Sequence, residues 1–416
     1  MFDRLIIRNF FLYGMYQAMR LAFPLVATPF LTHTLKKDVF ADYAIINSCL
    51  WTSSVFMDFG FFLYGVSKTA TANTEEDLRQ VVTSISLSKL SLLPITSAVF
   101  LGMTFTTGVL TREPVAALLG LVGAICYGGN FAWYFQGKQK GFTAVLTEAI
   151  PQFVQFALLL SLVRAPRDLW LVMLLQALPP VSSMTYSVLY LRRAALIGKT
   201  SLLNVWGALK AAWPFFVERF CFAAYTAVMP SIIVLLSVKS EVAYYSIGER
   251  VGSLIVSLCA PLNQAFMPRA AKAAHDPDGG WRFSIRLIAF ESALIIAFAG
   301  AVAISIGFII RKFFTPDYAP AILVARIFCV IGCVSSLGTT VASFILIPRD
   351  RASVMIWSSG LALVLGLVAQ FALIPTWGAP GAALGRLASH SVVLIVLGIA
   401  STRLFFEQKP QYAAHM

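Results

Sequence analysis

The chain has 416 residues, 58% of them hydrophobic and 12% charged, with a mean hydropathy of +0.79. A soluble domain carries about 25% charged residues, so the composition excludes a soluble protein and specifies an integral membrane protein. The net charge of +13 does not mark a nucleic-acid binder, because the basic residues collect in the connections between apolar segments rather than in one patch.

A spanning helix needs about 20 mostly apolar residues. Twelve such segments are predicted in chain order: 9–32, 39–66, 81–107, 114–136, 142–163, 168–192, 208–236, 242–268, 282–310, 319–346, 351–374 and 378–404. Each is a continuous apolar run rather than an alternating one, which excludes a β-barrel. The longest connections, 67–80, 193–207 and 269–281, leave no room for a soluble catalytic domain. The first segment is too long for a signal peptide and no small-residue cleavage site follows it. Of the 32 Lys and Arg residues, sixteen fall in the termini and the even-numbered connections and eight in the odd-numbered ones. By the positive-inside rule both termini are expected in the cytoplasm, as an even number of spans requires. All six cysteines lie within predicted spans, so disulfides are not expected. Cys329 and Cys333 share a helical face without His or carboxylate neighbours and read as packing residues.

The chain reads as a duplication. Lys37-Asp38-Val39-Phe40-Ala41-Asp42-Tyr43-Ala44-Ile45 is matched 202 residues later by Lys239-Ser240-Glu241-Val242-Ala243-Tyr244-Tyr245-Ser246-Ile247, with Pro29 and Pro230 preceding the two copies. Six spans per half give both halves the same orientation, a plan used by transporters with a site between the repeats. The expected division is an N-terminal six-helix lobe at 1–192, a cytoplasmic linker at 193–207, and a C-terminal six-helix lobe at 208–416.

Charges inside the spans carry the functional argument. Placing one at the bilayer centre costs roughly 2.5–3.5 kcal/mol on insertion scales, so such residues face a polar interior or one another. In the first span Tyr13, Gln17, Arg20, Pro24 and Thr28 form one stripe. Arg20 either lines a cavity or pairs across helices, with Asp58 as one candidate partner. Adjacent Glu218 and Arg219 in the seventh span point to different faces. In the eighth, Ser246, Arg250, Ser253, Ser257, Pro261 and Gln264 make a second stripe, and Glu249 lies too far round the helix to pair with Arg250. Arg250 lines a cavity or forms an interhelical ion pair. Arg386 and His390 share a face of the last span. Lys89, Glu148, Lys210 and Arg286 lie nearer the cytoplasmic ends and read as snorkelling side chains. Eight cations against five acids within the spans favour an anionic ligand, and Arg suits phosphate. The candidate ligand-binding cations are therefore Arg20, Arg219, Arg250 and Arg386. Asp58, Glu218 and Glu249 are candidates for ion coupling. No metal site or cofactor is expected.

Several phrases in order resemble one family. They are Pro24-Leu25-Val26-Ala27-Thr28-Pro29, Met57-Asp58-Phe59-Gly60-Phe61, Trp133-Tyr134-Phe135-Gln136-Gly137, and Trp213-Pro214-Phe215 followed by Arg219. Tyr244 to Arg250 and Pro261 to Arg269 complete the set. Together they resemble the Wzx-type O-antigen and exopolysaccharide flippases of the multidrug/oligosaccharidyl-lipid/polysaccharide exporter superfamily. The likeness is strongest up to about residue 275. It implies an all-α fold of about twelve transmembrane helices in two six-helix lobes, working by alternating access driven by H+ or Na+. It implies a substrate of undecaprenyl-pyrophosphate-linked oligosaccharide, the bacterial inner membrane as location, and a polysaccharide polymerase and chain-length machinery as partners. Arg219 and Arg250 stand at its motif positions, whereas Arg20 and Arg386 rest on helical spacing. The same resemblance implies that Asp58 anchors the second span near its cytoplasmic end. Exporters of cationic drugs call for an acidic cavity, and membrane glycosyltransferases or polymerases for paired carboxylates or a large hydrophilic loop. Neither pattern occurs here.

Overall fold

The computed structural model describes the backbone of residues 4–72, 74–138, 140–198, 200–257, 270, 280–349, 351 and 353–413. Within these ranges the side chains of residues up to 22, of Glu218, of residues from 408 onward and of a few others lie outside the description. No strand occurs among the described residues. The helices are α1 (Arg4–Asp58), α2 (Phe61–Thr71), α3 (Glu75–Thr106), α4 (Val109–Arg112), α5 (Pro114–Gly129), α6 (Ala132–Gly137) and α7 (Gly141–Leu162). They continue as α8 (Leu169–Arg193), α9 (Leu202–Thr226), α10 (Met229–Leu236), α11 (Lys239–Ser257), α12 (Trp281–Phe313), α13 (Ala321–Val341) and α14 (Ser353–Ala413).

Every predicted span is largely helical where it is described, with breaks at Phe59–Gly60, Asn130–Phe131 and Ala227–Val228. The eighth can be followed only to Ser257. Among the described residues seven helices are long and apolar enough to cross a membrane, or eight when the bent pair α1–α2 is counted as one span. Two of the helices each join a pair of predicted spans: α1 changes direction at Lys36 (φ 61°) and α14 at Gly378 (φ 58°). The protein is a multi-span membrane protein, and twelve spans fit this helix inventory. Local chemistry sets the ends. Thr74 accepts from the Asp77 amide (3.0 Å) while the Asp77 carboxylate accepts from the Thr74 amide (3.2 Å), starting α3 with three acids in its first turn.

Packing divides the chain at Leu235/Leu236 into two compact units. In the first, α1 packs on α3 and α5, α5 on α8, α7 on α8, and α2 on α6. Helix α9 packs on α1 and α3, so it belongs to this unit, although the sequence suggested a division at 193–207. Part of that connection lies against α3. The Thr83 hydroxyl donates to the Leu196 carbonyl (3.3 Å) and accepts from the Gly198 amide (3.0 Å). In the second unit α11 packs on α13, α13 on α12 and α14, and α14 on α11.

Both units use glycine to bring helices together. A Cβ on Gly120 would lie 2.5 Å from Ile46, and one on Gly123 would lie 2.9 Å from Leu50, which locks α5 onto α1. In the second unit Gly248 and Gly252 of α11 would meet Phe328 at 2.7 and 2.9 Å, and Gly332 of α13 would meet Ile255 at 2.8 Å. Small residues at such crossings let backbones approach closely where the hydrophobic effect gives no drive between helices. The two repeat phrases also bury alike: Phe40, Ala41, Tyr43 and Ile45 in one, Val242, Ala243, Tyr245 and Ile247 in the other.

The break between α1 and α2 is enforced by sequence. Phe59 (φ 48°) and Gly60 (φ 76°) turn the chain through a bend of 41°. A Cβ on Gly60 would stand 2.6 Å from the Phe215 Cβ and 2.8 Å from the Phe216 backbone nitrogen. Gly60→Ala is therefore expected to lower stability by about 1–3 kcal/mol through left-handed strain and overpacking. Gly102→Ala, with nothing within 4 Å, is expected to be neutral to slightly stabilising. Thermal unfolding in detergent distinguishes the two.

Candidate functional site

The bend at Phe59–Gly60 places Asp58 at the end of α1 with its carboxylate turned towards two cations. Arg219 of α9 donates from Nη1 to Asp58 Oδ2 at 2.7 Å, and Lys89 Nζ of α3 lies 3.9 Å from Asp58 Oδ1. An aromatic wall encloses the pair. Phe59 stacks on Phe216 at 4.4 Å, while Phe56 meets Phe216 and Phe220 edge-on at 5.7 Å each. The Met57–Phe61 and Trp213–Phe215 phrases, more than 150 residues apart in sequence, thus build one site.

Lys89 overturns its reading as a snorkelling side chain. It is 3% exposed, and its ammonium donates to the carbonyls of Gly128 (2.7 Å) and Asn130 (3.0 Å). These are carbonyls at the interruption between α5 and α6. Ordinarily the last carbonyls of a helix need water, a cap or a cation. Here Lys89 supplies the donors, and Asn130 also caps α6 by accepting the Ala132 amide on Oδ1 (3.2 Å). Gly128 is required at this spot, since a Cβ would lie 2.5 Å from the Ser54 carbonyl and 3.1 Å from the Asp58 amide. The sequence signal for Lys89 was its depth within the span. Its carbonyl partners were not visible there, because a helix break cannot be read from apolar periodicity.

A second polar site lies in the other unit. Arg386 of α14 donates from Nη1 to Glu249 Oε1 and to the Tyr245 hydroxyl (3.1 Å), both on α11. Its guanidinium carbon sits 5.3 Å from the Phe328 ring centre. Tyr245 is fully buried, and Arg386 is 12% exposed. Arg386 is thus committed to an ion pair in this conformation, and buried His390 lies one turn further along the same helix. Arg250 is partly buried on α11, next to Glu249 in sequence. The positions of Arg20 and Glu218 fall on helical backbone, but their side chains lie outside the described residues. Asp58, one candidate partner for Arg20, faces Arg219 and Lys89.

The first unit holds an amide pair at the position that the repeat offset relates to Glu249. Subtracting the repeat offset of 202 from Glu249 gives Asn47, and Asn47 Oδ1 accepts from Gln176 Nε2 at 2.6 Å. Gln176 stands on α8, the sixth predicted span, as Arg386 stands on the twelfth. The offset relates Glu249 to Asn47, but it relates Arg386 to Met184 rather than to Gln176. Sequence reasoning missed the amide pair, because neither residue is charged. Among the described residues no group of three metal-ligating side chains occurs.

Residues 6–274 match the model of a family described as polysaccharide biosynthesis protein. The chain belongs to that family. The matched range takes in every phrase on which the resemblance rested. A protein of Shigella dysenteriae named "putative O-antigen transporter" is 24% identical over 383 residues, covering 90% of this chain and 94% of that one. Among solved structures, an inward-facing multidrug resistance MATE family transporter of the MOP superfamily aligns with a TM-score of 0.72 at 13% identity, covering 94% of this chain and 96% of that one. The lipid II flippase MurJ, in an inward closed conformation, aligns with a TM-score of 0.72 at 12% identity, covering 95% of this chain and 87% of that one. These structural likenesses establish the fold: a polytopic all-α protein of the MATE and flippase type, as the sequence predicted.

Within this family member, Lys89 joins three helices. Lys89→Met removes the donor to two carbonyls and one counter-charge of Asp58, and is expected to cost roughly 2–4 kcal/mol. Lys210→Met, at an exposed position, is expected to change stability by less than about 0.5 kcal/mol. Thermal midpoints in detergent measure both, and equal midpoints would remove Lys89 from the site.

Proposed function

We propose that this chain is a flippase. On this reading it carries undecaprenyl-pyrophosphate-linked oligosaccharide repeat units across the bacterial cytoplasmic membrane, for O-antigen, exopolysaccharide or capsule synthesis. Support comes from the family, from the name carried by the Shigella relative, and from the cation excess within the spans. The observation that carries the reading is Arg219. Its guanidinium is anchored by Asp58 through Nη1 and is still 40% exposed. The donors not used by Asp58 suit the oxygens of a phosphate, which Arg engages in a fork.

The proposed mechanism is a competition. A pyrophosphate that binds Arg219 draws it from Asp58, and Asp58 keeps Lys89 as its counter-charge. Uptake of H+ or Na+ by Asp58 also frees Arg219, which couples ion and substrate to the same carboxylate. In the second unit Glu249 and Arg386 form another carboxylate–arginine pair, with Arg386 available to substrate once Glu249 releases it. Arg20 and Arg250 complete the proposed cationic lining, and Glu218 is a further coupling candidate. Lobes at 1–192 and 208–416, joined by 193–207, are the proposed moving parts, with both termini cytoplasmic. The chain is proposed to act as a transporter rather than an enzyme. It would hand its cargo to a polymerase and chain-length machinery.

Loss of the chain is expected to trap the lipid-linked oligosaccharide on the cytoplasmic leaflet, and the intact chain to relieve the block. Arg219→Gln and Arg250→Gln are each expected to slow translocation at least about tenfold, the worth of one charge-assisted phosphate contact. Membrane levels should not change, and Arg219→Lys should recover part of the rate. Lipid-linked units that reach the outer leaflet unaided but stay unpolymerised would contradict the reading.

A further inference from the structure

The second unit carries a cleft that the transport site does not use. It has a volume of about 450 Å³ and opens between the end of α12, the start of α13, the start of α11 and the Gly378 break in α14. Arg311 and Arg326 line it together with Glu241, Tyr244 and Trp377. Arg326 falls within the predicted span 319–346.

The polar groups here are not equivalent. The Glu241 carboxylate is turned to the backbone through one oxygen, because its Oε2 accepts the Ala379 amide at 2.8 Å and so holds the chain at the Gly378 turn. The Tyr244 hydroxyl is also occupied, donating to the Asp317 carbonyl at 3.1 Å. The two guanidinium groups are exposed, and among the described residues neither has a hydrogen-bond or ion-pair partner. Gly307, one turn before Arg311 on α12, leaves room for Arg326, whose Nη2 would lie 3.8 Å from a Cβ at that position. Trp377 is 58% exposed beside them. Two arginines outside any ion pair among the described residues, next to an exposed indole at a helix break, are the side chains that meet lipid headgroups. Tryptophan settles at the membrane interface, and Arg grips phosphate in a planar fork.

The cleft is formed by the odd-numbered connections, the side opposite the basic even-numbered ones. We propose that it is a binding site for the phosphate of one lipid headgroup in the outer leaflet, held by Arg311 and Arg326 with Trp377 against the lipid. The proposed orientation is the only part of the transport reading on which this rests. The phosphate belongs either to a polyprenyl pyrophosphate leaving the transporter or to an anionic phospholipid.

The full chain in nanodiscs of phosphatidylcholine, titrated with farnesyl pyrophosphate and separately with phosphatidylglycerol, tests the proposal by native mass spectrometry of retained lipid. The double variant Arg311→Gln/Arg326→Gln is expected to lose at least about tenfold in apparent affinity for one probe or both. Arg326→Lys should keep part of it. Loss for the pyrophosphate alone assigns the site to polyprenyl lipids, and loss for phosphatidylglycerol alone assigns it to phospholipid. Undiminished binding of both probes overturns the proposal. The readout is binding, so a chain that fails to translocate would leave this inference standing.

Discussion

A charge buried in a membrane helix has to be answered by another group, and that requirement organises this protein. The answers come from distant parts of the chain. Asp58 is answered by Arg219 and Lys89, and Glu249 by Arg386. Forming these pairs requires the backbone to bend at Phe59–Gly60, to break at Asn130, and to pass close to its neighbours where only glycine fits. The motif phrases are therefore best understood as one construction. Gly60 and Gly128 allow approach, Phe59 stacks on Phe216, and Asp58 and Arg219 face each other across the gap.

Lys89 shows how the construction is balanced. One carboxylate serves two cations, so the site keeps a net positive charge while Asp58 is ionised. A lone ion pair taken out of water gains little net stability, because desolvation consumes most of the attraction. The helix-end carbonyls of Gly128 and Asn130 offset that cost for Lys89. Arg219, more exposed, keeps donors for another anion. A structural cation and an available cation thus share one acid.

Much of this was legible in the sequence, and the limits are physical. Apolar run length located the helices, because backbone polar groups have no alternative partner in lipid. Ordered phrases such as Met57–Phe61 and Trp213–Phe215 marked the first site, since its geometry depends on specific small and aromatic residues. Partners were not legible. Helical periodicity tells which face Arg386 occupies, but not that Glu249 stands opposite. Depth alone made Lys89 resemble a snorkelling side chain, because the carbonyls that hold it belong to a break in another helix.

In the proposed mechanism the decisive event is the exchange of Arg219 between Asp58 and a pyrophosphate. The most direct measurement is the affinity of the Asp58→Asn protein for an undecaprenyl-pyrophosphate-linked oligosaccharide, taken beside its translocation rate. Removing the competing carboxylate should tighten binding several-fold and slow translocation, because the substrate is then held without release. Weaker or unchanged binding, with translocation intact, would contradict the account and leave Asp58–Arg219 a structural pair.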